Sequence, residues 1–183
     1  MPAYTLPGLD RATADKVCSI LQGRLVALTD LHLTLKHIHW NVVGPNFIAV
    51  HEMLDPQVDF ARAAADEVAE RIAALGGEPM GTPGAVVKGR AWDDYDLNRA
   101  AAQEHLGRLD EVYVGVVNSH RTAFDELSDL DQVSSDMIVQ QTQQLEQYQW
   151  FVRAHLEDNA GQLRKKGVPK EKKVSGAASR KRP

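Results

Sequence analysis

The chain has 183 residues, 43% hydrophobic and 25% charged, with a formal net charge of −4 and a single cysteine, Cys18. That length suits one domain with one core; no apolar run approaches the ~18–20 residues of a membrane span, and a lone cysteine excludes an intramolecular disulfide. The opening, MPAYTLPGLDRATADKV, lacks a basic stretch followed by an apolar one, so no secretory leader is expected and the cytoplasm is the expected compartment.

After an N-terminal extension, residues 1–9, the first helix is predicted to follow Asp10, a good N-cap, and to reach about Trp40. Val17, Ile20, Leu21, Leu25, Leu28, Leu31, Leu35 and Ile38 keep the three-and-four spacing of one helix face. The turn signal Gly44-Pro45-Asn46 opens a second helix, from about Phe47 to Leu75, which stops at Gly76-Gly77. Pro56 lies inside it and is expected to remove one backbone bond and bend it locally. Residues 76–94 hold five Gly and two Pro and predict a long connection, with one short helical turn around Ala85–Lys88. A third helix is predicted over roughly Asp96–Leu127, with Leu106, Leu109, Tyr113, Val116, Val117 and Phe124 inward. The fourth runs from about Gln132 to Leu163 through Met137, Ile138, Leu145, Tyr148, Phe151, Val152 and Leu156. No useful strand alternation appears. The expected fold class is all-α: two helical hairpins joined by a long crossover carrying a short helix, a ferritin-like four-helix bundle over residues 10–163.

Residues 164–183, RKKGVPKEKKVSGAASRKRP, differ in kind. Their Gly, Ser, Pro and Lys content predicts disorder. Nine basic residues against one Glu give this tail a net charge of +8, leaving the remainder with twelve basic and twenty-four acidic residues, net −12. The acidic body is expected to attract cations and the tail polyanions.

Chemistry concentrates between His39 and Glu70. His51 and Asp55 are four residues apart, as are Asp66 and Glu70, and His39 lies twelve residues before His51. Histidine with several carboxylates is a donor set for iron or zinc rather than for a soft, thiophilic metal. On a continuous helix Asp55, Asp66 and Glu70 lie about 40°, 60° and 100° around from His51, all on one stripe. Along the axis, however, Asp55 and Asp66 are about 16 Å apart, and His51 and Glu70 nearly 30 Å, roughly ten times a metal–ligand bond. Either each pair is half of an unrelated site, or two copies of the helix cross antiparallel at a two-fold axis and give two equivalent sites. Such pairs also occur as ordinary solvated surface. The ordinary ferritin arrangement, a Glu-x-x-His motif on facing helices of one bundle, is excluded because no Glu-x-x-His occurs.

The segment KHIHWNVVGPNFIAVHEMLD, with DEVAERIAALGG further along the same helix, resembles the Dps family, the mini-ferritins named as DNA-binding proteins from starved cells. The resemblance extends over about residues 10–160 and includes QWFVRAHLE in the fourth helix; the basic tail and the AYTLPGL start are most similar to actinobacterial, mycobacterial-type members. It implies a hollow dodecamer that oxidises Fe(II) with hydrogen peroxide or, less efficiently, O2 and stores ferric mineral. It implies a ferroxidase centre at a two-fold interface, with His39, His51, Asp55, Asp66 and Glu70 as the catalytic iron ligands, divided between subunits. Trp40, beside His39, becomes a candidate to intercept stray oxidising equivalents, with simple packing as the alternative. His32 and His37 are not expected as ligands. Acidic pores near the start of the last helix are implied, with Asp136 the first candidate and Asp131 the second; capping is the alternative for Asp129 and Asp131. Arg164, Lys165, Lys166, Lys170, Lys172, Lys173, Arg180, Lys181 and Arg182 are candidates for sequence-independent, salt-sensitive DNA contacts. The function expected is therefore iron oxidation and storage with DNA protection in the nucleoid; the alternative is a structural nucleoid-compacting protein without efficient ferroxidase activity.

Overall fold

In the computed structural model, which describes residues 8–157, the chain begins with α1, Arg11–Asn41, started as expected by Asp10, whose carboxylate accepts from the Thr13 amide at 3.0 Å. A two-residue strand β1, Val42–Val43, leads into a tight turn in which Gly44 has φ +104°, a conformation that favours glycine, and the Phe47 amide donates to the Gly44 carbonyl. That turn reverses the chain, so that α2, Phe47–Ala74, packs back along α1. Pro56 does not break α2. The helix closes with Gly77 and Gly76 amides donating to the Ile72 and Ala73 carbonyls, and Gly76 takes φ +78°.

The crossover carries α3, Pro83–Gly89, with Pro83 in its first turn, and a second short strand, β2, Ala100–Ala101. β2 runs parallel to β1 in the register Val42↔Ala100 and Val43↔Ala101. This pairing corrects the expected start of the third long helix. Residues 96–101 do not continue helically; α4 spans Ala102–Ser128, and Ala101 ahead of it is extended. α5, Gln132–Leu156, begins where expected. It ends earlier than the expected Leu163: Glu157, its C-cap, is extended, with its amide donating to the Arg153 carbonyl. The extension at residues 1–7 and the tail at 164–183 lie outside the described residues.

α1 with α2 and α4 with α5 form the two hairpins, and two apolar clusters fill the space between them. One contains Leu35, Ile38, Leu54, Leu109, Tyr113 and Leu145, the other Leu21, Leu28, Val68, Ile72, Leu127 and Ile138. Each fully buried Leu or Ile contributes about 1.5–3 kcal/mol through area removed from water. Phe124, Met137, Tyr148 and Phe151 are only partly buried, at the bundle's margin. Arg90 ties the crossover to the bundle, its guanidinium bonding Asp30 of α1 at 2.8 Å and also pairing with Asp94.

Candidate metal centre

The reversal at Gly44 brings the last turn of α1 against the first turns of α2. There His39, His51 and Asp55 converge. The His39 and His51 rings lie 3.6 Å apart between centroids, tilted by 30°, and the Phe47 ring packs 5.0 Å from that of His51. His39 Nε2 lies 2.9 Å from Asp55 Oδ1.

Hydrogen bonding fixes the orientation of His51, and burial sets the state of His39. His51 Nδ1 is 3.0 Å from the His39 carbonyl; a carbonyl only accepts, so Nδ1 carries a hydrogen, and Nε2 is the nitrogen left to offer a lone pair to a metal. His39 is 8% exposed, and neither of its ring nitrogens has a well-aligned hydrogen bond, the Asp55 contact being close but off the bonding direction. Burial, more than the attraction of Asp55, holds His39 below the usual histidine pKa, so it is a neutral ring with a buried lone pair. A buried donor atom without a partner, beside a second lone pair and a carboxylate, fits a cation of the iron or zinc class.

Lys36 was not singled out from sequence. Its ammonium donates to Asp55 Oδ1 at 3.1 Å and is the first cause, ahead of His39, that holds Asp55 below the usual carboxylate range. Its position three residues before His39 was a local clue, but its meeting with Asp55 depends on the register of the α1–α2 hairpin.

Asp66 and Glu70 are not brought to this cluster. They lie eleven and fifteen residues beyond Asp55 on the same continuous helix, both exposed, and among the described residues neither makes a side-chain hydrogen bond or ion pair. Among the described residues no group of three or more His, Cys, Asp and Glu side chains is arranged to hold a metal ion within one chain. Trp40 is 71% exposed beside His39. His37 turns to the crossover, donating from Nε2 to the Leu97 carbonyl at 2.7 Å. His32 is partly buried, and that burial, with Arg62 and Lys36 nearby, lowers its pKa.

Of the two pore candidates, Asp136 is exposed near the start of α5. Asp131 is the N-cap of α5: it accepts from the Ser134 amide at 3.2 Å and binds Arg71 of α2 at 2.6 Å. This is the capping role that the sequence offered as its alternative. All nine basic residues proposed for DNA lie outside the described residues.

A ferritin-like domain family matches residues 18–160. The chain is 54% identical to the DNA protection during starvation protein of Mycolicibacterium smegmatis over 181 residues, 99% of each chain. Among solved structures it is similar to DpsA14 of Streptomyces coelicolor, 59% identical with a TM-score of 0.86, covering 88% of this chain and 96% of that one. It is also similar to a Dps of Microbacterium arborescens in a high iron form, 28% identical with a TM-score of 0.76, covering 80% and 96%. With two antiparallel hairpins, a crossover bearing a short helix and likeness over the whole length of an actinobacterial relative, the chain belongs to the Dps family of ferritin-like proteins.

Proposed function

We propose that the protein oxidises and stores iron at centres shared between two copies of the chain, and that it protects DNA. The observation that carries this reading is the division of donors along α2. His39, His51 and Asp55 gather at one end, while Asp66 and Glu70, exposed and unpaired among the described residues, stand about 16 Å and about 22 Å beyond Asp55. An antiparallel crossing of two α2 helices at a two-fold axis joins one chain's first group to the other's second.

Iron is the substrate, and hydrogen peroxide or O2 the oxidant. Carboxylates and neutral imidazoles suit Fe(II) and its ferric product. Two Fe(II) release one electron each; peroxide takes both with two protons, its O–O bond breaks and two waters leave, so no hydroxyl radical escapes. In this reading Asp55 exchanges the Lys36 ammonium for iron. The exposed Leu33, Trp40, Phe47 and Ile48, on α1 and α2 near the donor cluster, support burial against further copies in a dodecamer. Asp136 is the proposed pore carboxylate, with Asp131 committed to Arg71 and the cap. The relative's name supports DNA protection, and the tail carries the charge needed to hold DNA against an acidic body.

Replacing His51 and Asp55 together by Ala is expected to lower peroxide-driven Fe(II) oxidation to the buffer rate. Wild-type oxidation by that variant would overturn the ferroxidase reading and leave the nucleoid-compacting alternative. Removing residues 164–183 is expected to abolish retardation of DNA in gels at low salt; unchanged retardation rules the tail out.

A further inference from the structure

Beneath the α1 end that carries His39, the crossover places a phenol against a buried imidazole. The Tyr95 hydroxyl is 3.0 Å from His105 Nδ1 and 3.3 Å from the His105 carbonyl. The two rings are nearly parallel, 7° apart in plane with centroids 6.0 Å apart, and His37 meets Tyr95 edge-on at 5.8 Å. His105 is 0% exposed and Tyr95 half-buried. The position follows from topology: β2 pairs with β1 directly after α1, pinning residues 95–105 beside the turn that carries His37, His39 and Trp40.

Among the described residues the other tyrosines have no such partner. Tyr113 donates to the Gln57 side-chain oxygen at 2.7 Å and Tyr148 to the Pro56 carbonyl at 3.3 Å, neither of which is a base near neutral pH. A phenol gives up an electron far more readily when its proton has a base to receive it. Burial lowers the basicity of His105, keeping the imidazole neutral, and holds the Tyr95 phenol protonated; in the tautomer with its hydrogen on Nε2, His105 Nδ1 offers its lone pair to the phenol.

We infer that Tyr95 and His105 form a proton-coupled electron donor that quenches one-electron oxidants escaping from iron oxidation. The inference rests on the ferroxidase reading above. When a lone Fe(II) meets peroxide, one electron passes, giving Fe(III), hydroxide and a hydroxyl radical. Tyr95 supplies one electron to that radical, or to a side chain it has oxidised, and the radical leaves as hydroxide. The phenolic O–H bond breaks as its proton moves to His105 Nδ1, giving a neutral phenoxyl radical and an imidazolium. A further Fe(II) returns the electron, becoming Fe(III), and the proton moves back. The pair is thereby regenerated.

Two arms of electron paramagnetic resonance on the full-length protein test this. In one, Fe(II) and a substoichiometric amount of peroxide are mixed and frozen; in the other, a flash-generated ruthenium(III) polypyridyl oxidises the iron-free protein. Both are expected to give a tyrosyl signal that Tyr95→Phe removes, that Tyr113→Phe and Tyr148→Phe leave intact, and that His105→Gln lowers about tenfold while iron uptake is kept. Because those replacements bear on packing, 3-fluorotyrosine at position 95, nearly the size of tyrosine, serves as the conservative variant: a fluorine splitting places the radical there. An unsplit signal, a full signal in Tyr95→Phe or His105→Gln, or no tyrosyl signal in the flash arm overturns the inference. A Tyr95 signal by flash, with no iron oxidised in the other arm, refutes the ferroxidase reading and leaves the pair standing as a donor. The same signal with iron oxidised and no radical in the iron arm overturns the quenching role.

Discussion

One oxygen of Asp55 is shared by Lys36 and His39, and this competition sets the first prediction. An exposed ammonium–carboxylate contact is weak, so its removal frees Asp55 without collapsing the site. Lys36→Met is expected to tighten binding of a redox-silent probe such as Zn(II) about twofold to fivefold in calorimetric titration. Unchanged or weaker binding would mean that Asp55 does not ligate the metal. A second residue acts on pH stability. His120 is 0% exposed, its Nδ1 held 3.0 Å from the Val116 carbonyl, and burial and then the nearby Arg24 push its pKa down to about 3. Unfolded, it titrates near the usual value of about 6.5. Between these values the unfolded chain takes up a proton that the native chain refuses, so the stability His120 contributes is complete above about pH 6.5 and is lost as pH falls toward the folded value. Chemical denaturation of His120→Gln is expected to show a pH slope smaller by up to about 1.4 kcal/mol per unit over that window. An identical slope would show that the imidazole titrates normally in the fold.

At the scale of elements, the crossover is the part whose order depends on few contacts. Arg90 bonds buried Asp30 of α1, and loss of the arginine leaves that carboxylate without its counter-charge. Arg90→Met is expected to cost about 3 kcal/mol and to speed amide exchange across residues 90–101. Exchange at the wild-type rate would locate the clamp elsewhere. This stretch is also where sequence reasoning fell short. α1, α2 and α5 were legible because caps and three-and-four periodicity are local, as at Asp10, Gly76-Gly77 and Gln132. The start of α4 was not, because residues 100–101 pair with 42–43, a partner almost sixty residues away that no local pattern reveals. The donor types of the candidate centre were legible from four-residue spacing. Lys36 and the Tyr95–His105 contact were not, since both depend on how separate segments register.

For the whole molecule, the same helix that forms half of the bundle's first hairpin also separates its own candidate donors. A continuous α2 holds Asp66 and Glu70 away from His39, His51 and Asp55, and no side-chain rotation closes about 16 Å. The proposed chemistry therefore requires assembly, and exposed Ile48, at 57%, and Trp40 mark a surface beside the cluster for it to cover. Subunit mixing tests the claim most directly. One variant carries His51→Ala and Asp55→Ala, the other Asp66→Ala and Glu70→Ala, and each alone is expected to oxidise Fe(II) at the buffer rate. Unfolded together in equal amounts and reassembled, they are expected to recover about a quarter of wild-type oxidation, the share of two-fold sites that receive both intact halves. Mixed particles of correct mass that stay at the buffer rate would contradict a centre shared between chains.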